Sequence, residues 1–578
     1  MADMGNQLKN ALSIPFSKRR KTQDLNTGFN EQDKTWELVI RYSSDDIPDI
    51  LRNSDKVSNI SILEGGYLTA VFFEDFINEL EMMPGIDYIE KPKRLFYGIN
   101  NAKAASCINP VTSNFGDISL AGNGVIIAVI DSGIDYNLPA FVDQDGRTKI
   151  LGLWDQTGNK EDLNSLVQQS KLGPPEGLAN GIYYPEFWIN YVLSQPAIAR
   201  KELLPQEDFS GHGTAVAGIA CGIANGARLL FVKLGEEQEN TLQSVRLLEA
   251  LTFVTEFARG KNMPIAINLS FGNNYGAHNG RSLLENYIDI IAYRAKCSIC
   301  IGTGNEGDKS IHFQGNVEEN VRTSVAFSIA STQRTLNIQI WKNYFDIMDI
   351  EMELPNGEII SMGRNNTFRF GSMEIIVFVN PPTPYNIMEE IYIEFIRGDG
   401  ENFLEGGIYN IYLTGQRILQ GQVNMWMPSG NVVQNQTRFL NPSPDITLTI
   451  PSGASKAISV GAYSSENDVY ADFSGRGFLI NGLVKPDICA PGTDILAPLR
   501  GGGFSLFTGT SFATPVVSGA ASLLLEWGIV LGNDDSLYGE KLKAYFINGA
   551  RQFFNENVPS KKTGWGALCV SASIPRGY

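Results

Sequence analysis

The sequence predicts an α/β domain built on a parallel sheet with helices on both faces, preceded by a small α+β unit and interrupted by an inserted antiparallel β-sandwich. The first sign is Gly124-Val-Ile-Ile-Ala-Val-Ile130, a continuous β-branched run of the kind that a parallel strand covered on both faces requires. Next, strand patterns at Arg228 to Lys233, Ile265 to Leu269 and Ser298 to Gly302 alternate with helical ones at Thr241 to Arg259 and Ser282 to Ala295. Between Gly315 and Ser443, by contrast, the alternation stops and short strands follow one another.

Taken in order, residues 1–34 read as a polar tail, with a basic cluster at Lys18, Arg19, Arg20 and Lys21 and no apolar segment of the kind a secretory signal needs. Residues 35–103 form the α+β unit. Trp36, Leu38, Ile40 and Tyr42 alternate as in a half-buried strand, and Ile47 to Arg52 suits a short helix with Asp46 as cap and Pro48 in its first turn. A hairpin about Gly65-Gly66 joins Ser58 to Leu63 with Tyr67 to Phe73; a helix from Glu74 to Met83 and a strand from Ile86 to Ile89 complete a βαββαβ, ferredoxin-like order. The α/β domain occupies 104–314 and resumes over 444–578 with a strand at Ala457 to Ala462 and a long helix from Ser511 to Trp527. The insertion, 315–443, carries seven strand patterns: Ser324 to Ile329, Leu336 to Trp341, Met348 to Leu354, Glu374 to Val379, Ile391 to Ile396, Ile408 to Leu413 and Val423 to Met427. With a hairpin turn at Pro355-Asn356-Gly357, they suggest a sandwich or jelly roll.

Composition narrows the function classes. The 578 residues are 43% hydrophobic and 19% charged, a globular balance, and no apolar run approaches the roughly 20 residues of a membrane span. Membrane partners are therefore not expected. Acidic residues outnumber basic ones 63 to 46, a net charge of −17 that disfavours a nucleic-acid partner. Six cysteines are too sparse for a disulfide framework, which fits a reducing, cytoplasmic setting. Cys297 and Cys300 form a C-x-x-C without a second ligand pair for zinc and read as core residues of a buried strand.

Three segments supply the groups that a hydroxyl nucleophile needs. Asp131 ends the buried strand in Asp131-Ser-Gly133, His212 lies in Ser210-Gly-His-Gly-Thr-Ala-Val-Ala-Gly218, and Ser511 lies in Gly509-Thr-Ser-Phe-Ala-Thr-Pro515. A serine hydroxyl needs a base to take its proton and a third group to hold that base in one tautomer. Small residues about His212 and Ser511 would let two helix N-termini meet, with Ser511 at the positive end of its helix. Singly, Asp131 also fits a strand-end turn, Ser511 a cap and His212 a core histidine. Of the other two histidines, His278 and His312 sit in polar, loop-like stretches and read as exposed.

In this order, Asp, His, Ser, the segments resemble those of the subtilisin-like serine proteases, the subtilases, over roughly Phe115 to Ile574 apart from the insertion. The resemblance implies a serine endopeptidase with Asp131, His212 and Ser511 as triad. Asn305, in Gly302-Thr-Gly-Asn-Glu-Gly307, matches the oxyanion donor of the family. Ser270, Phe271 and Gly272, with Gly302, Thr303 and Gly304, match the substrate-binding strand and the primary specificity pocket; Phe271 suits packing as well as specificity. Ala215 stands where subtilases often carry a second histidine. The N-terminal unit resembles a subtilase prodomain, an intramolecular chaperone and inhibitor, which implies a mature N-terminus between about Phe96 and Ser106. Tyr88-Ile-Glu-Lys-Pro-Lys-Arg-Leu95, Ser106-Cys-Ile108 and the β-rich insertion are similar to the Csp-type subtilases of clostridial spore germination, which adds a spore-associated location to the cytoplasmic one. A protein or peptide substrate is implied and no cofactor is required. Calcium is common in the family, yet no acidic loop here has EF-hand spacing, so a structural ion stays open. The competing reading is a catalytically silent subtilase-fold binding protein; carbohydrate binding by the insertion is a third.

Overall fold

The computed structural model describes residues 2–19, 28–63, 65–92, 98–113, 119–159, 161, 167–168, 170, 172–235, 244–294, 296–384, 386–429, 432–553 and 556–575. The chain divides into two compact units, Met1–Tyr97 and Gly98–Tyr578.

In the first unit, the strands Thr35–Tyr42, Val57–Leu63, Tyr67–Phe73 and Ile86–Glu90 are joined by the helices Ile47–Arg52 and Ile77–Met82. Their spatial order, fourth, first, third, second, is that of the ferredoxin-like fold expected from the βαββαβ pattern. Alternation puts Trp36, Leu38 and Ile40 in the core with Leu68, Ala70 and Phe72.

The N-terminus is not the tail that its polarity suggested. Asp3–Met4 pairs in parallel with Ile86–Glu90, and the helix Asn6–Ser13 buries Leu8 and Ala11. Within the basic cluster, Arg19 is 1% exposed. Its guanidinium lies 4.3 Å from the ring centre of Phe29 and 4.7 Å from that of Trp36, pairs with Glu74 at 2.9 Å and donates to the carbonyl of Ala11. An arginine buried in this way is paid for by an ion pair and two aromatic faces. Residues 1–34 therefore belong with the unit that follows. The unit boundary after Tyr97 also moves Gly98–Ala105, a helix, into the second unit rather than the first.

In the second unit the sheet runs Val469–Tyr470, Ile458–Ser464, Cys297–Gly302, Ile265–Leu269, Ile126–Asp131, Arg228–Lys233, Ile150–Asp155, Ile182–Pro185, with Ile488–Pro491 also on Ile458–Ser464. Its central strands are parallel. The alternating side chains of Ile126–Asp131 explain the layers. Ile127 and Val129 pack with the helices His212–Ile223 and Thr510–Leu525, whereas Ile126, Ala128 and Ile130 pack with Ser244–Lys261 and Leu283–Arg294. By length and composition Thr510–Val530 could cross a bilayer, but 89% of its most apolar window is buried as a core helix. Cys297 and Cys300 are buried in their strand, as expected. Cys107 and Cys569, however, form a disulfide that ties the start of this unit to its end, so sparse cysteines did not mean that none is paired.

The insertion is an antiparallel sandwich. One sheet orders His312–Asn316, Gln422–Trp426, Leu336–Asn343, Met388–Ile396, Met373–Asn380 and Asn366–Phe370; the other orders Ile359–Ser361, Ile347–Glu353, Gly407–Arg417, Arg322–Ile329 and Arg438–Phe439. All seven expected strands are there, and an apolar core including Phe327, Ile338, Ile393 and Tyr409 lies between the sheets.

His278 and His312 are buried, at 2% and 0% exposure, not exposed. Both rings lie flat against Trp426, with centroids at 4.2 and 4.6 Å, where the insertion meets the α/β domain. The partner that buries them is distant in sequence, which is why their polar surroundings misled. Nδ1 of His278 is 2.7 Å from the carbonyl oxygen of Leu448, and Nε2 of His312 is 3.1 Å from Oδ1 of Asn424. Burial lowers both imidazoles to about 4 from the ordinary 6.5. A depressed histidine favours the neutral form in the native state, so its contribution is complete above pH 6.5 and is lost as pH falls toward 4. Two such groups predict a loss of roughly 3 kcal/mol each across that window. Denaturant unfolding of a Ser511→Ala chain at pH 7 and pH 4.5 measures it; an unchanged midpoint would contradict it.

Candidate active site

Asp131 is the last residue of its strand and 3% exposed. His212 opens the helix His212–Ile223, and Nδ1 lies 2.7 Å from Oδ1 of Asp131, which also accepts from the amide of Ser132 at 2.8 Å. A carboxylate accepting from Nδ1–H fixes the tautomer and leaves a lone pair on Nε2. The contact depends on small residues: a Cβ on Gly213 would lie 2.2 Å from the carbonyl oxygen of Gly133 and 3.1 Å from Cβ of Asp131. The two helices close in the same way, since a Cβ on Gly519 would sit 2.9 Å from the carbonyl oxygen of Ala220. Ala215, at the position of the second histidine of many subtilases, is fully buried in this packing.

Ser511 is the second residue of Thr510–Leu525, half-buried, with the ring of the next residue, Phe512, 5.4 Å from that of His212. Its hydroxyl donates to the carbonyl of Ser270 at 2.9 Å, and the hydroxyl of Ser270 donates to the carbonyl of Ser511 at 2.9 Å. The second bond has a cause in the sequence. Pro515 lacks the N–H that would reach back four residues to Ser511, and Ser270 supplies the missing donor. Asn268 in turn donates to the hydroxyl of Ser270 at 2.9 Å.

Asn305 follows the strand Cys297–Gly302. Its Oδ1 accepts from the amide and hydroxyl of Thr510 at 2.9 and 3.2 Å, which leaves the Nδ2 hydrogens for another acceptor. Ser270, Phe271 and Gly272 extend from Ile265–Leu269 on one side, and Gly302, Thr303 and Gly304 from the neighbouring strand on the other. Phe271 packs with the outer-helix core, and the hydroxyl of Thr303 faces that of Ser474 at 3.3 Å, so both serve the fold there. All the predicted residues thus converge at one end of the sheet.

One contributor was not foreseen. Asp208, 1% exposed, accepts from the amide and hydroxyl of Thr214 at 2.8 and 2.6 Å, from the amide of Gly211 at 3.0 Å and from the hydroxyl of Ser132 at 2.8 Å. It ties the start of the His212 helix to the end of the Asp131 strand. An acidic residue just before a helix start was the signal available. Burial opposes the charged imidazolium of His212, but the charge and hydrogen bond of Asp131, with the charge of Asp208, outweigh it and raise His212 above the ordinary 6.5. A base must be neutral to act. The acid limb of kcat/KM is therefore predicted to lie above pH 6.5, with activity lost as pH falls through it. A pH–rate profile checks this, and full activity retained well below pH 6.5 would contradict it.

A parallel α/β sheet with aspartate, histidine and serine gathered from a strand end and two facing helix starts is the architecture of a subtilase. The sequence profile of the Subtilase family matches residues 122–366 and 414–566, more than half of the chain, which therefore belongs to that family. The profile of the Csp protease B prodomain matches residues 2–93. Among solved structures, that of the Clostridium perfringens CspB protease is similar, with 32% identity, 82% of this chain and 96% of that one covered, and a TM-score of 0.72. Serine protease AprX of Bacillus subtilis is 32% identical over 157 residues, which is 23% of this chain and 34% of AprX. C5a peptidase of Streptococcus pyogenes is 24% identical over 503 residues, 78% of this chain and 40% of that protein. The chain thus spans well under half the length of these two relatives.

Proposed function

We propose that the protein is a serine endopeptidase made as a self-processing zymogen. The observation that carries this reading is the 2.7 Å pair of Asp131 and His212 beside Ser511 at a helix N-terminus. Ser511 Oγ turns from the carbonyl of Ser270 toward Nε2 of His212, gives up its proton there and attacks the peptide carbonyl. The oxyanion that forms takes donors from Nδ2 of Asn305 and from the amide of Ser511, which lies in the first helical turn, where amides have no partner within the helix. His212 passes its proton to the leaving amine, and water hydrolyses the acyl-enzyme by the same path in reverse. Asp131 holds the imidazole and offsets its charge. The N-terminal unit acts as prodomain, inhibiting the site in cis until the chain is cut between about Phe96 and Ser106; Phe96 and Tyr97 lie outside the described residues.

Labelling with a fluorophosphonate tests this. The wild-type chain should carry the label on Ser511, and His212→Ala should label far more slowly. A wild-type chain that stays unlabelled would leave the reading of a silent binding protein in its place.

A further inference from the structure

The primary pocket should lie between Ser270 to Gly272 and Gly302 to Gly304, yet a side chain from a third segment stands between these walls. Thr449 belongs to the stretch that re-enters the α/β domain after the insertion. Its amide donates to the carbonyl of Thr303 at 3.0 Å, and the next residue, Ile450, exchanges backbone hydrogen bonds of 2.7 and 2.9 Å with Asn273. The stretch therefore laces one wall to the other.

At the level of Thr449 both walls are bare glycine. A Cβ on Gly272 would come within 2.4 Å of Oγ1 of Thr449, and a Cβ on Gly304 within 2.4 Å of its Cγ2. The threonine side chain thus fills the gap from wall to wall. It is 3% exposed, and its Oγ1 is buried with no hydrogen-bond partner among the described residues. Pressed between two glycines, the side chain occupies this gap with its bulk.

Retreat is blocked from behind. The indole N–H of Trp426, on the inserted sandwich, donates to the carbonyl of Ile446 at 3.1 Å, and His278 holds the carbonyl of Leu448 at 2.7 Å. The insertion, through Trp426, and the α/β domain, through His278, thereby hold Ile446 and Leu448 just ahead of Thr449.

We infer that Thr449 closes the floor of the primary specificity pocket and restricts the residue before the scissile bond to small side chains, glycine, alanine or serine. The inference rests on the protease reading above and names the substrate class of that same site. A phenylalanine or leucine side chain would have to enter the volume that Cγ2 and Oγ1 of Thr449 already occupy, and a packed wall does not yield to a rigid insert.

The test uses the full, self-processed chain and peptide anilides that differ only in the residue before the scissile bond, Ala or Phe. Wild type should prefer Ala by roughly 100-fold or more in kcat/KM, the scale on which a pocket discriminates by fit. Thr449→Gly should cut that ratio at least tenfold, by gaining on Phe relative to Ala. Thr449→Val, which keeps the volume and loses the hydroxyl, should keep the wild-type ratio. Fluorophosphonate labelling of each variant reports whether the site is intact. Equal rates on both anilides in wild type would overturn the inference, as would an unchanged ratio in a labelled Thr449→Gly, or a ratio lost in Thr449→Val. If wild type fails to label at all, the protease reading itself falls, and the inference with it.

Discussion

Replacing Ser511 by alanine is expected to lower peptide hydrolysis by roughly 10⁶-fold, the scale for loss of a triad serine in this class of enzyme. The fold should tolerate the change. Ser511 is half-buried, its hydroxyl donates to the carbonyl of Ser270, and the carbonyl of Ser511 keeps its own donor from Ser270. Alanine also suits the first turn of a helix. Thermal midpoints should therefore agree within a few degrees. Because serine and histidine act as one unit, His212→Ala should cost about as much, and the double variant scarcely more than either single one. Rates of the three variants on one peptide substrate check this; simple additivity would show that the two side chains do not share a step.

Asp131→Asn is expected to cost roughly 10⁴-fold in kcat with little change in structure. The reason is the proton on His212, not the packing. Oδ1 of Asp131 accepts from both Nδ1 of His212 and the amide of Ser132, while Oδ2 is buried with no partner among the described residues. In the asparagine variant a carbonyl oxygen left on Ser132 and Nδ1–H carries no charge to stabilise the imidazolium, and turning the amide toward His212 puts a donor against Nδ1 and moves the proton to Nε2. A protonated Nε2 has no lone pair for the serine proton. The kcat of the variant measures this, and a loss of less than tenfold would remove Asp131 from its assigned role.

Much of this architecture is written in local pattern. The β-branched run ending in Asp131 marks a strand buried on both faces, and the structure puts it at the centre of the sheet. The seven sandwich strands were legible because their alternation matches the two-residue period of the pleat. Short elements were not. Asp3–Met4 and Asn6–Ser13 carry too few apolar residues to stand out, and they are ordered by a strand and side chains far along the chain. His278 and His312 failed for the same reason, since Trp426, far along the chain, stacks on both. The disulfide of Cys107 and Cys569 joins residues 462 apart in sequence, beyond the reach of spacing.

Within the site, motif order located Asp131, His212, Ser511 and Asn305, because each lies where a strand ends or a helix begins. Asp208 and Thr449 lie outside those motifs. Their positions follow from how three segments pack, a property that no single stretch of sequence carries. Thr449 in particular enters the pocket from beyond the insertion, so its relation to Gly272 and Gly304 appears only once the chain is folded.

A self-processing zymogen must cut its own chain. Intact mass of the purified wild-type protein beside Ser511→Ala measures that directly. Self-processing gives two fragments for wild type, split between about residues 96 and 106, and a single full-length mass for the variant. Two uncut chains, together with no fluorophosphonate label on Ser511, would contradict it.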